Sequence, residues 1–193
     1  MPEPNQLACF EQAVLPHLDA AYNLARWLMR NDHDAEDMVQ EAYLRALKFF
    51  GGFRGGDSRA WLLRIVRNTC YTWLQQNRKQ ELSNDIGEEA HEIESNDPNP
   101  ETVLLQNVDQ QMLKQALEAL PVEFREVLIL RELEGLSYKE IADLADLPVG
   151  TVMSRLARAR LRLQRAVVTH THKGRHSDEL SADTKADSPV SGR

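Results

Sequence analysis

The chain has 193 residues, a formal net charge of −7 at pH 7 and 42% hydrophobic residues. This length allows one ordinary domain or two small ones, and apolar runs such as residues 127–130 fall far short of the roughly 20 residues that cross a bilayer. Residues 1–6 also lack the features of a secretory signal, so we expect a soluble protein of the cytoplasm without direct membrane insertion.

The charges are sorted along the chain. Residues 3–44 hold eight acids and two bases, whereas residues 45–79 hold eight bases and one acid. Residues 81–101 carry eight acids and no base, and residues 149–165 carry five arginines and no acid. Because salt confines such fields to about 8 to 10 Å, the two basic segments can attract a polyanion although the total charge is negative.

The first predicted element is a helix whose apolar residues recur every three or four positions from Leu7 to about Met29. Residues 31–34 interrupt this pattern. Asp34 is predicted to cap a second helix, which reaches about Phe50, by accepting hydrogen bonds from its free amide groups.

A glycine-rich loop over residues 51–56 separates the second helix from a long third helix, which Asp57 or Ser58 is predicted to cap. Residues at helical spacing predict the inward face of this helix, namely Trp61, Ile65, Thr69 and Trp73. The sequence holds no sustained alternation of apolar and polar residues, which is the pattern of strands. The predicted fold class is therefore all-α.

A flexible acidic linker is predicted over residues 81–101, where the apolar period disappears and the segment DPNP at 97–100 stops helix continuation. It divides the chain into two small helical domains, residues 1–80 and 102–168. A disordered tail is expected over residues 169–193, because their composition is polar and net neutral.

The second domain is predicted to end in a helix-turn-helix. After a helix over residues 103–120, Pro121 suits the first turn of another that ends near Gly135, a left-handed cap. Ser137 and Glu140 form a capping box that opens a short helix. A turn at residues 146–148 leads into the last helix, which runs from about Val149 to Val168.

The two faces of the last helix have different chemistry. Val152, Leu156 and Ala159 form a packing face with Leu163. Hydroxyls and guanidinium groups gather on roughly the opposite arc, where they can contact base edges and phosphates. These candidate duplex-binding residues are Thr151, Ser154, Arg155, Arg158 and Arg162, with Arg165 farther along.

Three motifs of this second half resemble the fourth conserved region of sigma factors of bacterial RNA polymerase. They are LPVEFREVL at residues 120–128, EGLSYKEIA at 134–142 and PVGTVMSRLARAR at 148–160. The resemblance implies that this module recognises the minus-35 element of a promoter. It places Ser154 and Arg158 at the bases and Arg155 near the backbone, while Met153 stands where relatives often carry arginine.

The segment DAEDMVQEAYLRA at residues 34–46 is similar to the part of sigma factors that grips the clamp helices of the largest polymerase subunit. From charge alone, this acidic helix could equally be a docking face for a basic protein or an ordinary solvated helix. The resemblance implies the first of these, with docking residues Asp37, Gln40, Glu41 and Leu44.

The glycine loop and the third helix combine rings, cations and an amide, which is the chemistry that holds an unstacked single strand. The candidate residues are Phe53, Arg54, Arg64, Arg67, Asn68 and Tyr71. The motif WLLRIVRNT at residues 61–69 resembles the segment by which sigma factors hold a flipped base of the minus-10 element. Asn68 is the predicted base contact, whereas Trp61 and Trp73 are predicted to belong to the core.

The two blocks, without further domains before or between them, resemble the extracytoplasmic-function (ECF) sigma factors. The resemblance implies a transcription initiation factor with no catalytic residue and no cofactor. The implied partners are promoter DNA, the clamp helices and flap region of core RNA polymerase, and a regulating anti-sigma factor. The alternatives are a helix-turn-helix regulator that acts without polymerase, and a DNA recombinase, which would need a catalytic domain.

Two minor hypotheses concern metal and redox chemistry. His170, His172 and His176 lie close together in the tail and could bind zinc or nickel, against the alternative of a polar tail. Cys9 and Cys70 lie in apolar helical patterns, so both are predicted to be buried, with a redox switch as the alternative.

Overall fold

The computed structural model describes residues 4–84 and 106–182, with side chains described for residues 7–78 and 110–167. These residues form helices and turns, and no strand occurs among them. The predicted all-α fold is therefore confirmed. In the same described ranges, no helix has a stretch both long enough and apolar enough to span a membrane.

Four helices form the first bundle, and their bounds differ from the prediction at the start. They are α1 (Pro4–Val14), α2 (Leu18–Met29), α3 (Asp32–Phe49) and α4 (Ser58–Asn84). The single helix predicted from Leu7 to Met29 is wrong, since a 3-10 turn over Leu15–His17 separates α1 from α2. The turn contains Pro16, whose ring nitrogen has no hydrogen to continue the α-helical ladder.

The caps of the first bundle are partly as predicted. Asn31, not Asp34, caps α3, because its Oδ1 accepts hydrogen bonds from the backbone amides of His33 at 2.8 Å and Asp34 at 3.3 Å. Asp57 caps α4 by accepting from the amides of residues 59 and 60 at 2.9 and 3.1 Å. This second cap is one of the two predicted alternatives.

The inward face of α4 is rotated by about one residue from the predicted one. Of the predicted residues Thr69 is buried, whereas Trp61, Ile65 and Trp73 are partly buried and pack against the core. The fully buried residues of this helix are Leu62, Leu63, Val66 and Cys70. The reason is that α4 contacts α2 and α3 on one side and the second half of the chain on another, so its apolar pattern serves two interfaces.

The second bundle consists of α5 (Gln106–Glu118), α6 (Val122–Leu128), α7 (Tyr138–Ala145) and α8 (Val149–Ala182). A π-helical segment, Ile129–Leu133, extends α6. Gly135 has a φ of +69°, as expected for a left-handed cap, and the predicted capping box is present. In that box Glu140 N donates to Ser137 Oγ at 3.2 Å, and Ser137 N donates to Glu140 Oε2 at 2.6 Å.

Parts of the predicted linker and tail lie outside the described residues, namely 85–105 and 183–193. At the near end of the linker, α4 continues as far as Asn84. The last helix was predicted to end near Val168, but α8 continues to Ala182. No proline occurs between Val149 and Ala182, so nothing in the sequence forces the backbone to leave the helix earlier.

The two bundles pack against each other, with α4 lying on α7 and α2 lying on α6. Buried residues of both bundles belong to one continuous hydrophobic cluster. The arrangement turns one side of α4 toward the second bundle, and this side carries several of the residues predicted to bind DNA.

Candidate nucleic-acid interface

Helix α8 presents the packing face that its sequence predicts. Val152, Leu156 and Ala159 are at most 1% exposed, and Leu163 is half-buried against the core. They pack on α6 and α7, the short helix that the capping box begins. The turn between α7 and α8 includes Asp146, with a φ of +55°, so the second bundle has the geometry of a helix-turn-helix.

The opposite face of α8 carries the candidate duplex-binding residues. Ser154, Arg158 and Arg162 are exposed, whereas Thr151 and Arg155 are half-buried. Ser154 Oγ donates to the carbonyl oxygen of Thr151 at 3.0 Å. The guanidinium of Arg162 lies 4.7 Å from the ring centre of Phe124, which fixes its position along the edge of the face by a cation–π contact.

The outward face of α3 carries the four residues predicted to dock polymerase, and the helix buries the other side through Ala35, Met38, Ala42 and Ala46. Asp37, Gln40 and Leu44 are exposed, Leu44 to 61%. Glu41 is half-buried and accepts from Arg45 Nε at 2.7 Å. An exposed leucine among acidic and amide groups is a surface with an apolar centre and a polar rim.

The glycine loop holds three rings in contact. Phe53 stacks on Phe50 with 5.7 Å between ring centres and lies 5.0 Å from Trp61. Gly55 and Gly56 have φ values of +86° and +104°, which residues with a side chain rarely adopt. Trp61 therefore belongs partly to the core, as predicted, and partly to the support of Phe53.

A cavity of about 540 Å³ separates this loop from α7 of the second bundle. Phe53, Arg54 and Arg64 line it on one side, and Glu140 and Asp143 line it on the other. The exposed Arg54 thus faces a space between the bundles, next to the aromatic residues that were predicted to contact a single strand.

The remaining candidates for single-strand binding lie on α4, and the structure brings three of them against the second bundle. Arg64 donates to the carbonyl oxygen of Asp143, and Arg67 forms an ion pair with Glu126. Tyr71 OH donates to Glu126 Oε2 at 2.9 Å. Asn68, the predicted base contact, is exposed and lies next to Arg67 in the sequence.

Glu126 contacts two of these candidates, and the sequence did not predict its involvement. Its side chain is fully buried, and the guanidinium of Arg67 lies 4.5 Å from the ring centre of Tyr71, so the three groups form one cluster. Burial, followed by the charge of Glu126, raises the pKa of Tyr71 above its usual value, so its hydroxyl remains a donor at neutral pH. No local pattern marks this carboxylate, since its partners lie 55 and 59 positions away.

Two further arginines join the bundles through backbone carbonyl groups. Arg30, which has a φ of +63°, donates through Nη2 to the carbonyl oxygen of Leu120 at 3.1 Å. Arg125 is buried, and it donates to the carbonyl oxygens of Glu118 at 2.8 Å and Leu28 at 3.4 Å. Burial lowers the pKa of Arg125 to about 10.

The cysteines and histidines behave differently from one another. Cys70 is buried as predicted, whereas the prediction for Cys9 is wrong, because this residue lies on the exposed side of α1. Among the described side chains, no group of three His, Cys, Asp or Glu residues is placed to hold a metal ion. The side chains of His170, His172 and His176 lie outside the described set.

The sequence matches two family models that correspond to the two bundles. Residues 13–80 match sigma-70 region 2, and residues 110–163 match sigma-70 region 4. The ECF RNA polymerase sigma-E factor of Escherichia coli strain K12 is 40% identical over 134 residues, which are 66% of this chain and 70% of that protein. The chain belongs to the ECF sigma factors.

Other relatives agree with this membership. ECF RNA polymerase sigma factor SigE of Mycolicibacterium smegmatis is 33% identical over 162 residues. These are 84% of this ECF sigma factor, which therefore spans less than two thirds, 63%, of the length of SigE. The resemblance to this family, inferred from the motifs, is confirmed.

Solved structures share the fold of this chain. One is the sigma factor RpoE of Bartonella quintana in complex with the anti-sigma factor NepR, with 32% identity and a TM-score of 0.67 over 82% of this chain and 96% of that chain. Another is CnrH in complex with the cytosolic domain of CnrY, with 26% identity and a TM-score of 0.58 over 84% of this chain and 90% of that chain.

Proposed function

We propose that the chain binds core RNA polymerase and directs it to promoters, contacting the minus-35 element as duplex and the minus-10 element as a single strand. Family membership supports this proposal, together with three separate surfaces on the two bundles. In this role the chain supplies specificity and has no catalytic residue of its own. It acts in the cytoplasm, where bacterial polymerase and promoter DNA are found.

The arginine-bearing face of α8 gives the strongest support to this proposal. A helix that follows a short helix and a tight turn can enter the major groove, where arginine pairs with guanine through two hydrogen bonds. Ser154 and Arg158 are exposed near the start of α8, which suits contact with bases. Thr151, Arg155 and Arg162 then hold the backbone on either side.

The outward face of α3 is the proposed contact with the clamp helices of the largest polymerase subunit. Asp37, Gln40 and Leu44 are all accessible there, and Glu41 adds a second carboxylate at the edge. An exposed leucine gives an apolar centre, while the carboxylates select a basic partner. The second bundle, which contains region 4, is the proposed contact with the flap region.

The proposed minus-10 surface extends from the glycine loop along α4. Phe53 is a ring on which a base can stack, and Arg54, Arg64 and Arg67 can follow the strand, with Asn68 and Tyr71 as polar contacts. Taking a base out of the duplex costs a few kcal/mol of stacking, which contacts made by the whole polymerase complex can supply. A single sigma bundle need not melt DNA alone.

An anti-sigma factor is the proposed regulator. The sigma factor RpoE of Bartonella quintana, described above, is bound to the anti-sigma factor NepR, which supports a partner of the same class here. This partner would compete with polymerase or with DNA for one of the three surfaces.

Transcription from purified components tests the proposed function. Core RNA polymerase is mixed with a library of genomic promoter fragments, with and without the chain, and run-off transcripts are sequenced. We expect a set of transcripts that depends on the chain and shares two sequence elements upstream of the start. If no fragment gives a transcript, and the chain alone retains specific duplex fragments, the protein is instead a regulator that acts without polymerase.

A further inference from the structure

Most of the polar contacts between the bundles run from donors of the first bundle to acceptors of the second; the exception described above is Arg125, which donates to the carbonyl oxygen of Leu28. Arg59 of the first bundle forms an ion pair with Glu134 and donates to its carbonyl oxygen at 2.9 Å. Arg64 donates to the carbonyl oxygen of Asp143. The second bundle thus offers oxygen acceptors to arginines of the first, which is also what the phosphates of a nucleic acid offer.

Glu126 is the most enclosed of these acceptors, with no exposed side-chain area. Arg67 Nε donates to its Oε1, while Arg67 Nη2, at 3.5 Å, and Tyr71 OH, at 2.9 Å, donate to its Oε2. A forked guanidinium approach to two oxygens of one anion is the geometry with which arginine binds carboxylate and phosphate alike. Both partners of Glu126 belong to α4 of the other bundle.

We propose that Glu126 is an internal competitor of the minus-10 strand, holding the chain in a self-inhibited arrangement in which its carboxylate takes the place of a DNA phosphate at Arg67 and Tyr71. This inference rests on the proposed function, since it assigns those two residues to the strand. Arg64 is occupied in the same arrangement, and Phe53 faces α7 across the cavity. Arg54 and Asn68 are exposed already, but Arg67 and Tyr71 become available to a strand only when the bundles separate.

The contact is suited to reversal. Removing both charges of a buried ion pair from water offsets much of their attraction, so such a pair adds little net stability. Arg125 makes the interface less favourable still, because its Nε is a buried nitrogen without a hydrogen-bond partner among the described side chains. A DNA strand offers many phosphates at once, and it gains free energy from released counterions.

The conservative variant Glu126→Gln tests the latch, since it keeps the shape of the side chain and removes its charge. Fluorophores on Cys9 and on an introduced Gln164→Cys report the separation of the bundles by energy transfer in the full chain; Cys70 is buried and stays unlabelled. We expect a lower transfer efficiency in E126Q than in the parent. Because the ion pair is buried and therefore little screened by salt, this difference should be present in both 50 and 300 mM KCl.

The matched control is Glu132→Gln. Glu132 also lies in the second bundle and also accepts from an arginine, but its partner, Arg160 at 2.7 Å, belongs to the same bundle. This variant should keep the transfer efficiency of the parent. Tyr71→Phe, which removes one donor to Glu126 and leaves both cores intact, should give an intermediate value. Circular dichroism at each salt concentration confirms that the helices persist.

Binding of a fluorescein-labelled single-stranded DNA 20-mer of mixed sequence measures what the latch covers. We expect E126Q to bind it about tenfold more tightly than the parent does, and E132Q to bind it like the parent. Adding Arg67→Ala to E126Q should remove most of this gain while leaving the bundles apart.

The two readouts separate the inference from the function on which it rests. If E126Q keeps the transfer efficiency of the parent at both salt concentrations, Glu126 is not a latch and the inference is overturned. If the bundles separate and DNA binding does not rise, Glu126 does not compete with a DNA strand, and the inference is overturned as well. The assignment of Arg67 and Tyr71 to the minus-10 strand is then wrong, although the chain can still be a sigma factor that passes the run-off test.

Discussion

The outward face of α3 and the basic face of α4 both belong to the first bundle, but only the second of them is in contact with the second bundle. On α3, Asp37, Gln40 and Leu44 are open to solvent. On α4, Arg64, Arg67 and Tyr71 are engaged by the second bundle. The proposed polymerase contact is therefore available while part of the proposed strand contact is still covered.

This difference suggests an order of events. Polymerase can meet the exposed face of α3 while the bundles are still packed together, and the basic face of α4 is uncovered afterwards. In the packed arrangement, single-stranded DNA is then kept from Arg67 and Tyr71, while core polymerase can still bind α3. Three measurements test the difference between the two faces.

The largest effect concerns the reactivity of Cys70, on the side of α4 that faces its own core. Burial, with a smaller contribution from the charge of Glu126, raises the pKa of this thiol to about 12. At pH 8 roughly one thiol in ten thousand is then ionised, and thiolate is the reactive form. We expect Ellman's reagent to modify Cys70 at least about a hundredfold more slowly than the exposed Cys9.

The pH dependence has a definite sign. Because the native pKa is raised, the modification rate of Cys70 should climb as the pH increases toward 12, as long as the fold persists. In guanidinium chloride both thiols should react quickly. The same protection is expected in E126Q; a Cys70 that became as reactive as Cys9 there would mean that the second bundle, and not the first, keeps α4 in place.

A smaller effect is expected at the open face. Asp37→Ala combined with Gln40→Ala removes a carboxylate and an amide from the polar rim of the proposed docking surface, beside Leu44. Affinity for core polymerase should fall by about 2 kcal/mol, roughly thirtyfold, which titration with labelled chain can measure. Energy transfer between the bundles should not change, because these residues lie away from the interface.

The matched control for this pair is Gln12→Ala combined with Asp19→Ala, which removes the same chemical groups from exposed positions on α1 and α2. It should bind polymerase like the parent. Equal losses from the two double variants would show that total charge, and not the face of α3, determines the affinity.

The most local effect, confined to one promoter position, is expected from Arg158→Ala on α8. One arginine contact to a base contributes about 1 to 3 kcal/mol, so run-off transcription should fall and lose selectivity at a single minus-35 position. Arg160→Ala is the control, since Arg160 is held by Glu132 within the second bundle. Selectivity lost to the same extent in both variants would indicate a general contribution of positive charge to DNA affinity.

Much of the fold could be predicted from the sequence because its signals are local. The capping box at Ser137 and the left-handed Gly135 each depend on a few adjacent residues, and both are present as predicted. The packing face of α8 follows from the spacing of Val152, Leu156 and Ala159. The prediction was wrong where two local signals compete. Two capping residues lie close together before α3, and Asn31 caps the helix in place of Asp34. Pro16 interrupts the helix although the apolar pattern continues through it.

The contact between the bundles could not be predicted in this way. Glu126 lies between Arg125 and Val127 in the short helix α6, and no local sequence signal distinguishes it from a solvated glutamate. Its hydrogen-bond partners are Arg67 and Tyr71, which are distant in the chain. The sequence predicts that both residues contact DNA. A pattern along one helix indicates which residues are polar, but it does not indicate whether their hydrogen-bond partners belong to the second bundle or to DNA.

The buried carboxylate of Glu126 also has an evolutionary consequence. A substitution at position 67 leaves this buried charge without its ion-pair partner, so changes at positions 67 and 126 should be inherited together. Chimeras that join this first bundle to the second bundle of a relative test this coupling directly. Those that bring an apolar residue to position 126 should lose the closed arrangement, whereas those that keep a glutamate there should retain it.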